Sequence, residues 1–293
     1  MRRIAVTGGF GRLGQQVLKR LEGHAETAVI DPSPPPVGFG GAVPATDILN
    51  LEPLADAFRG RDAIIHLAGA DASWNCSAEV TFKLNAGGTW TVLEAARIAG
   101  VRHVVLCSSS AAIGITAANF PSYIAIDEEH SVMPTGTYGL SKQLGESMAR
   151  TIAFHEGIRV ICIRPCYIMF PEIISYINEV MDTLAEAGAG VPGSGLYREG
   201  LPVCRAHIDP ADAADAFVKA LDYDGPLYSV FNICADDIFG TTPTLEYVQR
   251  VYARCPTVTT PHRFEADQFA SLIDNRRAKQ ALGWQPQVRW LRN

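Results

Sequence analysis

No stretch of the 293 residues approaches the eighteen or so consecutive apolar positions that a membrane-spanning helix needs. The most hydrophobic text, "IRVICIRPCYIMF", is interrupted by Arg159 and Arg164. No run of Lys or Arg occurs either. With 25 basic against 31 acidic residues the formal net charge is -6, which leaves no electrostatic footprint for nucleic acid or an anionic membrane surface. The seven cysteines include no C-x-x-C pair, and most sit in apolar text such as "VVLCSSS" and "RVICIRPC", where free Cys acts as a small hydrophobe. No His, Cys or Asp grouping has the spacing of a metal site. Strand-like text starts almost at once, "MRRIAVTGG", leaving no room for a signal peptide ahead of folded structure. Internal repeats and low-complexity tails are also missing. Together these absences predict a soluble, cytoplasmic protein that handles a small molecule, with no nucleic-acid or membrane partner.

What is present is a chain 47% hydrophobic and 19% charged, enough apolar material for a sizeable core. Short β-branched runs alternate with helical patterns: "RRIAVTGG", then Leu13, Val17 and Leu21 at i, i+4 and i+8, then "TAVID", "DAIIHLAG", "HVVLCSSS" and "IRVICIRP". Such text predicts an α/β fold, a doubly wound parallel sheet of Rossmann type. Residues 32–45, "PSPPPVGFGGAVPA", are too rich in Pro and Gly for a helix and read as a surface loop. Helices are expected over Asn85–Ala99 and Tyr138–His155. The Gly87-Gly88 pair inside the first signals something packed close to the backbone. After Pro165 the pattern changes to "EIISYINEVMDTLAEAG", a "VPGSG" loop, a helix from about Asp209, a strand "SVFNIC" and closing helices in 243–254 and 274–282. The expected organisation is therefore 1–165 as the main sheet-bearing domain, and 166–293 as a smaller lobe interleaved with the end of the sheet.

Two stretches carry chemistry. "VTGGFGRLG" ends a strand and opens a helix, with Gly8, Gly11 and Gly14 spaced for a tight turn under a pyrophosphate, and Asp31 about 20 residues on is placed to hold the adenosine ribose hydroxyls. A carboxylate at Asp31 repels a 2′-phosphate, so NAD is expected over NADP, although Arg12 is a guanidinium that could receive that phosphate. "YGLSK" puts Tyr138 and Lys142 one helical turn apart on one face. Taken alone that pair fits a surface helix as well as an active site, and only its surroundings decide.

Those surroundings resemble a known family. "TGGFGRLG", "HLAG" at 66–69, "NAGGTWTVLEAAR", "SSSAAIG" and "YGLSK" follow the order of the extended short-chain dehydrogenase/reductases, the NAD-dependent epimerase/dehydratase family. "IRP" at 163–165, "HIDPADAADAF" at 207–217 and "NRRAKQALGWQP" at 275–286 extend the likeness over essentially the whole chain. The resemblance implies that Tyr138 exchanges a proton with a substrate hydroxyl or carbonyl. Lys142 then supplies charge and holds the nicotinamide ribose, and Ser109 hydrogen-bonds the reacting oxygen. It further implies cofactor contacts from Gly8, Gly11, Arg12, Leu13, Gly14 and Asp31, and from Leu67, Ala68 and Gly69. Asp47 and Ile48 fall at the adenine position, where an N-cap is an equal reading of Asp47. Asn85 either orients the cofactor or a water, or caps its helix. His66 reads as shaping the strand end more than as a base.

The resemblance also narrows the reaction. Dehydratases of the family follow the catalytic Ser or Thr with an Asp-Glu pair, whereas this chain has Ser110-Ala111. The Arg-bearing diphosphate loop of the sugar-nucleotide epimerases is only loosely matched by "LYREGLPVCRAHID", with Arg198 and Arg205 as candidates. Uronate dehydrogenases need no such clamp. The expectation is thus a sugar dehydrogenase-like oxidoreductase acting on a sugar or sugar derivative. The alternatives are an NDP-sugar epimerase with tightly bound NAD and, in a different class, a non-catalytic dinucleotide sensor. A homodimer through the helices 85–99 and 138–155 is also implied, with Trp90, Leu93, Met148 and Ile152 as contact candidates.

Overall fold

β-Branched and apolar residues run unbroken from Ile4, and β1 (Arg2–Thr7) is buried on both faces from there to Thr7. The computed structural model describes residues 1–70, 76–116, 119–175, 177, 205–252 and 254–290. The remaining strands are β2 (Ala25–Ile30), β3 (Ala63–His66), β4 (His103–Cys107), β5 (Tyr123–Ile124), β6 (Arg159–Pro165), β7 (Tyr167–Ile168), β8 (His207–Ile208), β9 (Tyr228–Ile233) and β10 (Thr257–Val258). Six of them form one parallel sheet in the order β2-β1-β3-β4-β6-β9. Successive residues face opposite sides. Ile4, Val6, Ile65, Val105 and Ile161 enter one core, and Ala5, Ile64, Val104 and Val160 enter the other.

Helices α1 (Arg12–Leu21), α6 (Pro210–Ala220) and α9 (Arg276–Leu282) contribute to the first core, and α2 (Leu51–Phe58), α4 (Gly88–Ala99) and α5 (Thr137–Glu156) to the second. The chain leaves β1 toward β2 on one side and returns to β3 on the other. That reversal opens a crevice beyond the carboxyl ends of β1 and β3, the usual ligand position in such sheets. Residues 32–45 hold no helix. Ala42 instead bridges to Ala28, with Val29 N–H donating to the Ala42 carbonyl at 2.8 Å, so the loop covers the exposed edge of β2.

Three elements differ from the sequence expectation. The helix expected from Asn85 starts earlier, as α3 (Ala78–Phe82), passes through a π turn (Lys83–Gly87) and continues as α4. The anticipated close approach falls on Gly88 alone, where a Cβ would meet Ile48 Cδ1 at 2.5 Å. Gly87 has open space around it. The six-residue α8 (Pro261–Ala266), with Pro261 in its first turn, is too short for a periodic signal. Of the helix expected from "EIISYINEVMDTLAEAG", residues 172–175 and 177 are helical, and the rest of it and the "VPGSG" loop lie outside the described residues.

Segments after 165 complete the main sheet through β9, and β5 from the first half pairs with β10. Asp209 caps α6 by accepting from Ala211 N at 2.7 Å, ahead of Pro210. Closing helix α7 (Thr244–Tyr252) falls where expected. No helix among the described residues is long and apolar enough to cross a membrane.

One buried acid sets a pH dependence of stability. Glu128 Oε1 accepts the outer-edge N–H of Asn232 in β9 at 2.8 Å. Burial pushes its pKa up from 4.5 to about 7, against the opposing pull of that hydrogen bond and of Arg277. The folded chain therefore holds this proton more tightly than the unfolded one. The stability it contributes is complete below about pH 4.5 and is lost as pH rises through 7. Glu128→Gln keeps an acceptor without the titration, so it is expected to be more stable than the parent at pH 8 by about 3 kcal/mol, the gap closing toward pH 4.5. Urea unfolding at pH 5 and pH 8 checks this; a difference independent of pH would contradict it.

Candidate active site

The glycine turn is built by backbone crowding. Gly8 has φ +70°, and a Cβ there would meet Ala68 N at 2.6 Å across the crevice. A Cβ on Gly14 would overlap the Gly8 carbonyl oxygen and lie 2.6 Å from Gly9 Cα. Gly8 N–H donates to Ile30 O at 2.8 Å, and Gly11 N–H to Gly8 O at 3.2 Å, so the turn is tied to β2 and to itself. α1 begins at Arg12 with Gly11 as its N-cap, which aims the N–H groups of its first turn, at Leu13 and Gly14, out of the helix end. A backbone cradle that admits no side chain at Gly8 or Gly14, beside a helix N-terminus, fits the pyrophosphate of a dinucleotide.

Asp31 is held from both sides. Its Oδ2 accepts Phe10 N–H at 2.9 Å and its Oδ1 accepts Ser33 N–H at 2.9 Å. Arg12 points elsewhere: its guanidinium pairs with Glu172 at 3.0 Å and lies 4.8 Å from the Phe170 ring centroid. Asp47 does not cap α2, whose N-cap is Asn50. Its Oδ1 accepts Leu49 N–H at 2.7 Å and shapes the turn that buries Ile48 against Gly88. Leu67, Ala68 and Gly69 leave β3 half-buried on the wall facing Gly8.

Asn85 caps nothing. Buried in the π turn, it accepts from Ala70 N at 2.8 Å, donates to Ala70 O at 2.9 Å and reaches Ser141 Oγ at 3.2 Å. It thereby fastens the segment after Gly69 to the second turn of α5. His66 is held through both ring nitrogens, by Thr7 Oγ1 at 2.6 Å and Thr89 Oγ1 at 3.1 Å. Burial, with Lys142 nearby, lowers its pKa from 6.5 to about 3, which keeps it neutral. It braces the strand end.

Tyr138 and Lys142 stand on the first two turns of α5, with the ammonium 5.7 Å from the tyrosine ring centroid. Lys142 Nζ donates to Cys107 O at 2.9 Å, the last residue of β4. Ser109 follows two residues on and accepts Ala111 N–H at 3.1 Å, opening a short turn (Ser110–Ala112). That turn abuts α5 so closely that a Cβ on Gly139 would meet Ala111 O at 2.6 Å. The glycine of "YGLSK" thus lets the helix that carries Tyr138 close on the turn that carries Ser109. Ser108 points into the core, donating to Glu146 Oε1 at 2.5 Å, and Glu146 pairs with Arg164 through two contacts of 2.7 Å.

Sequence reasoning missed Ser141, Glu146, Thr7 and Thr89. The available signal was Glu146 four residues after Lys142 on the helix face that also bears Ala149. Of the clamp candidates, Arg205 is 8% exposed, lies 3.7 Å over the Tyr247 ring and leaves Nη1 buried without a hydrogen-bond partner among the described residues. Arg198 lies outside them. Among the described residues no group of three or more His, Cys, Asp or Glu is placed to hold a metal ion.

Comparison with known proteins agrees with this geometry. The chain is 27% identical to a UDP-glucose 4-epimerase of Rhizobium meliloti over 69% of its own length and 65% of the relative's. It is 31% identical to an L-arabinose 1-dehydrogenase (NAD(P)(+)) of Haloferax volcanii over 56% and 66%. The chain thus spans just under two thirds of each. A solved structure of a mutated uronate dehydrogenase superposes with TM-score 0.66 over 98% of this chain and 82% of that one, at 21% identity, a likeness of fold. The family model described as "NAD dependent epimerase/dehydratase family" matches residues 4–234, from β1 and its glycine turn through Ser109, Tyr138 and Lys142 to the end of β9, and the chain belongs to that family.

Proposed function

We propose that the chain is an NAD-dependent oxidoreductase acting on a hydroxyl or carbonyl carbon of a sugar or sugar derivative. The observation that carries this reading is Lys142, which stands one turn from Tyr138 and donates to the end of β4 two residues before Ser109. Tyr138 moves the proton of the reacting oxygen. A free tyrosine ionises near pH 10, so ionising it at pH 7 costs about 4 kcal/mol, much of which the Lys142 ammonium and the positive nicotinamide ring of bound NAD would offset together. Ser109 hydrogen-bonds the same oxygen and fixes its lone pairs toward Tyr138. Gly8, Gly11, Leu13 and Gly14 receive the pyrophosphate, Asp31 the adenosine ribose, and Asp47 and Ile48 the adenine. Leu67, Ala68, Gly69 and Asn85 form the far wall, Lys142 holds the second ribose, and Arg12 contributes its backbone. Bound NAD supplies a hydride acceptor at this place. Residues 1–165 carry the cofactor side and 166–293 the substrate side.

Net oxidation is the favoured reaction, supported by the Ser110-Ala111 sequence and by the likeness to the L-arabinose 1-dehydrogenase. Epimerisation of a nucleotide-linked sugar is the second reading. It draws on the likeness to the UDP-glucose 4-epimerase and on Arg205, whose spare Nη1 suits an anionic substituent. Incubation with NAD and, separately, L-arabinose, D-glucuronate, D-galacturonate and UDP-glucose tests the choice. Absorbance rising at 340 nm with a free sugar or sugar acid supports oxidation, and conversion of UDP-glucose to its 4-epimer with no net absorbance change supports the second reading.

Because a carboxylate at Asp31 repels a 2′-phosphate and the Arg12 guanidinium pairs with Glu172, NAD is expected to bind at least tenfold more tightly than NADP, on the order of 1.4 kcal/mol. Fluorescence titration with both checks it, and tighter NADP binding would overturn it.

A cytoplasmic homodimer completes the proposal. Leu93 and Ile152 are buried in the sheet-facing core, and Met148 packs against it, so of the expected contacts Trp90 alone faces out, 45% exposed. Ile98, Leu140 and Phe154 join it on the outer surface of α4 and α5. Light scattering at micromolar concentration is expected to give twice the 31.6 kDa chain mass, and Phe154→Glu the single mass. A monomeric parent would refute this interface.

A further inference from the structure

Below the Tyr138–Lys142 pair, α5 carries a buried charge that the proposed chemistry leaves unused. Glu146 follows Lys142 by one turn, and its side chain is 6% exposed. It touches both strands that flank the helix. Ser108 Oγ, one residue before Ser109 on the segment leaving β4, donates to Oε1 at 2.5 Å. Arg164 of β6 donates from Nε to Oε1 and from Nη2 to Oε2, both at 2.7 Å, while its Nη1 is buried without a hydrogen-bond partner among the described residues. The other groups around the pair are uncharged or further off. Burial holds the Cys162 thiol of β6 and the Tyr228 phenol of β9 in their neutral forms. Thr89 of α4 sits beside Gly145, His66 of β3 is neutral, and Arg150 lies one turn further along α5. Lys142 is the charge on the opposite, cleft side.

A core ion pair contributes little net stability compared with apolar residues of the same volume, so its presence asks for another reason. Here that reason is where it sits. The pair ties the segment that bears Ser109 to the helix that bears Tyr138, and it keeps a permanent buried cation from acting on the tyrosine uncompensated. We propose that Glu146 is a positioning residue: through Ser108 it locks the Ser109 segment onto α5, and by cancelling the Arg164 charge it leaves Lys142 as the cation that acts on Tyr138. This rests on the reading of Tyr138, Lys142 and Ser109 given under the proposed function.

Two variants of opposite charge separate positioning from mere packing. Glu146→Gln leaves the guanidinium uncompensated, and Arg164→Met leaves the carboxylate. Eight residues at 1.5 Å each put Glu146 roughly 12 Å from Tyr138 along α5, close enough for a shift on the order of one pH unit or less. Tyr138 ionisation is read with NAD bound, as the tyrosinate absorbance difference at 295 nm between each protein and the same protein carrying Tyr138→Phe. E146Q is expected to titrate at lower pH than the parent, R164M at higher pH, and the double variant at the parent value. Ser108→Ala, which removes a tie and no charge, is expected to leave the titration in place and to lower turnover several-fold. Unmoved or same-direction titrations in E146Q and R164M overturn the proposal while leaving the functional reading intact. If either single variant does not fold, the other and S108A still decide. A parent in which Tyr138 titrates as a free tyrosine overturns the functional reading, and this proposal with it.

Discussion

Tyr138→Phe is expected to lower turnover by about 10²- to 10⁴-fold while leaving the NAD dissociation constant within about twofold of the parent. The phenyl ring keeps the packing of the first turn of α5, and what is lost is a proton-transferring hydroxyl one turn from an ammonium held on Cys107 O. An interaction made only as the proton moves shows in the rate constant and not in ground-state binding. Steady-state kinetics on a sugar from the panel, beside fluorescence titration of NAD, separates the two quantities. Turnover close to the parent's would remove Tyr138 from the chemistry.

Gly14→Ala is expected to act on the opposite quantity. Its Cβ would overlap the Gly8 carbonyl oxygen and press on Gly9, both backbone, so neither can swing aside. α1 must lift from the turn, which withdraws the N–H groups of Leu13 and Gly14 from the crevice. Overpacking of this kind costs about 1–3 kcal/mol, and if the bound state carries that cost the NAD dissociation constant rises roughly 5- to 150-fold. Calorimetric titration measures it, with far-UV circular dichroism to show that the helices persist. An unchanged dissociation constant would mean that the glycine turn does not hold the cofactor.

The sheet was legible because a strand buried on both faces leaves an unbroken β-branched run. "RRIAVTGG", "DAIIHLAG" and "IRVICIRP" each contain a strand, at Arg2–Thr7, Ala63–His66 and Arg159–Pro165. The glycine turn was legible because crowding at Gly8 and Gly14 admits no side chain. The fastenings between elements left no such mark. Asn85 was open between cofactor contact and helix cap, yet it joins Ala70 to Ser141 inside a π turn that no periodicity announces. Glu146 reads as one more polar residue on a helix until the fold brings Ser108 and Arg164 to it from separate strands. Among the expected dimer contacts, Leu93 and Ile152 turn to the core instead, because helical spacing alone does not say which apolar stripe meets the sheet.

The account's central claim is that one site, framed by Gly8, Asp31, Ser109, Tyr138 and Lys142, takes hydrogen from a sugar carbon with NAD as acceptor. Isotope transfer tests it most directly. A panel sugar carrying deuterium on each carbinol carbon in turn is incubated with enzyme and NAD, and the recovered nicotinamide is examined by mass spectrometry and NMR. The predicted result is one labelled position that delivers deuterium to the nicotinamide in the parent and does so about 10²- to 10⁴-fold more slowly in Tyr138→Phe. Conversion of the sugar with every deuterium retained in the product or lost to water, and none in the nicotinamide, would contradict it.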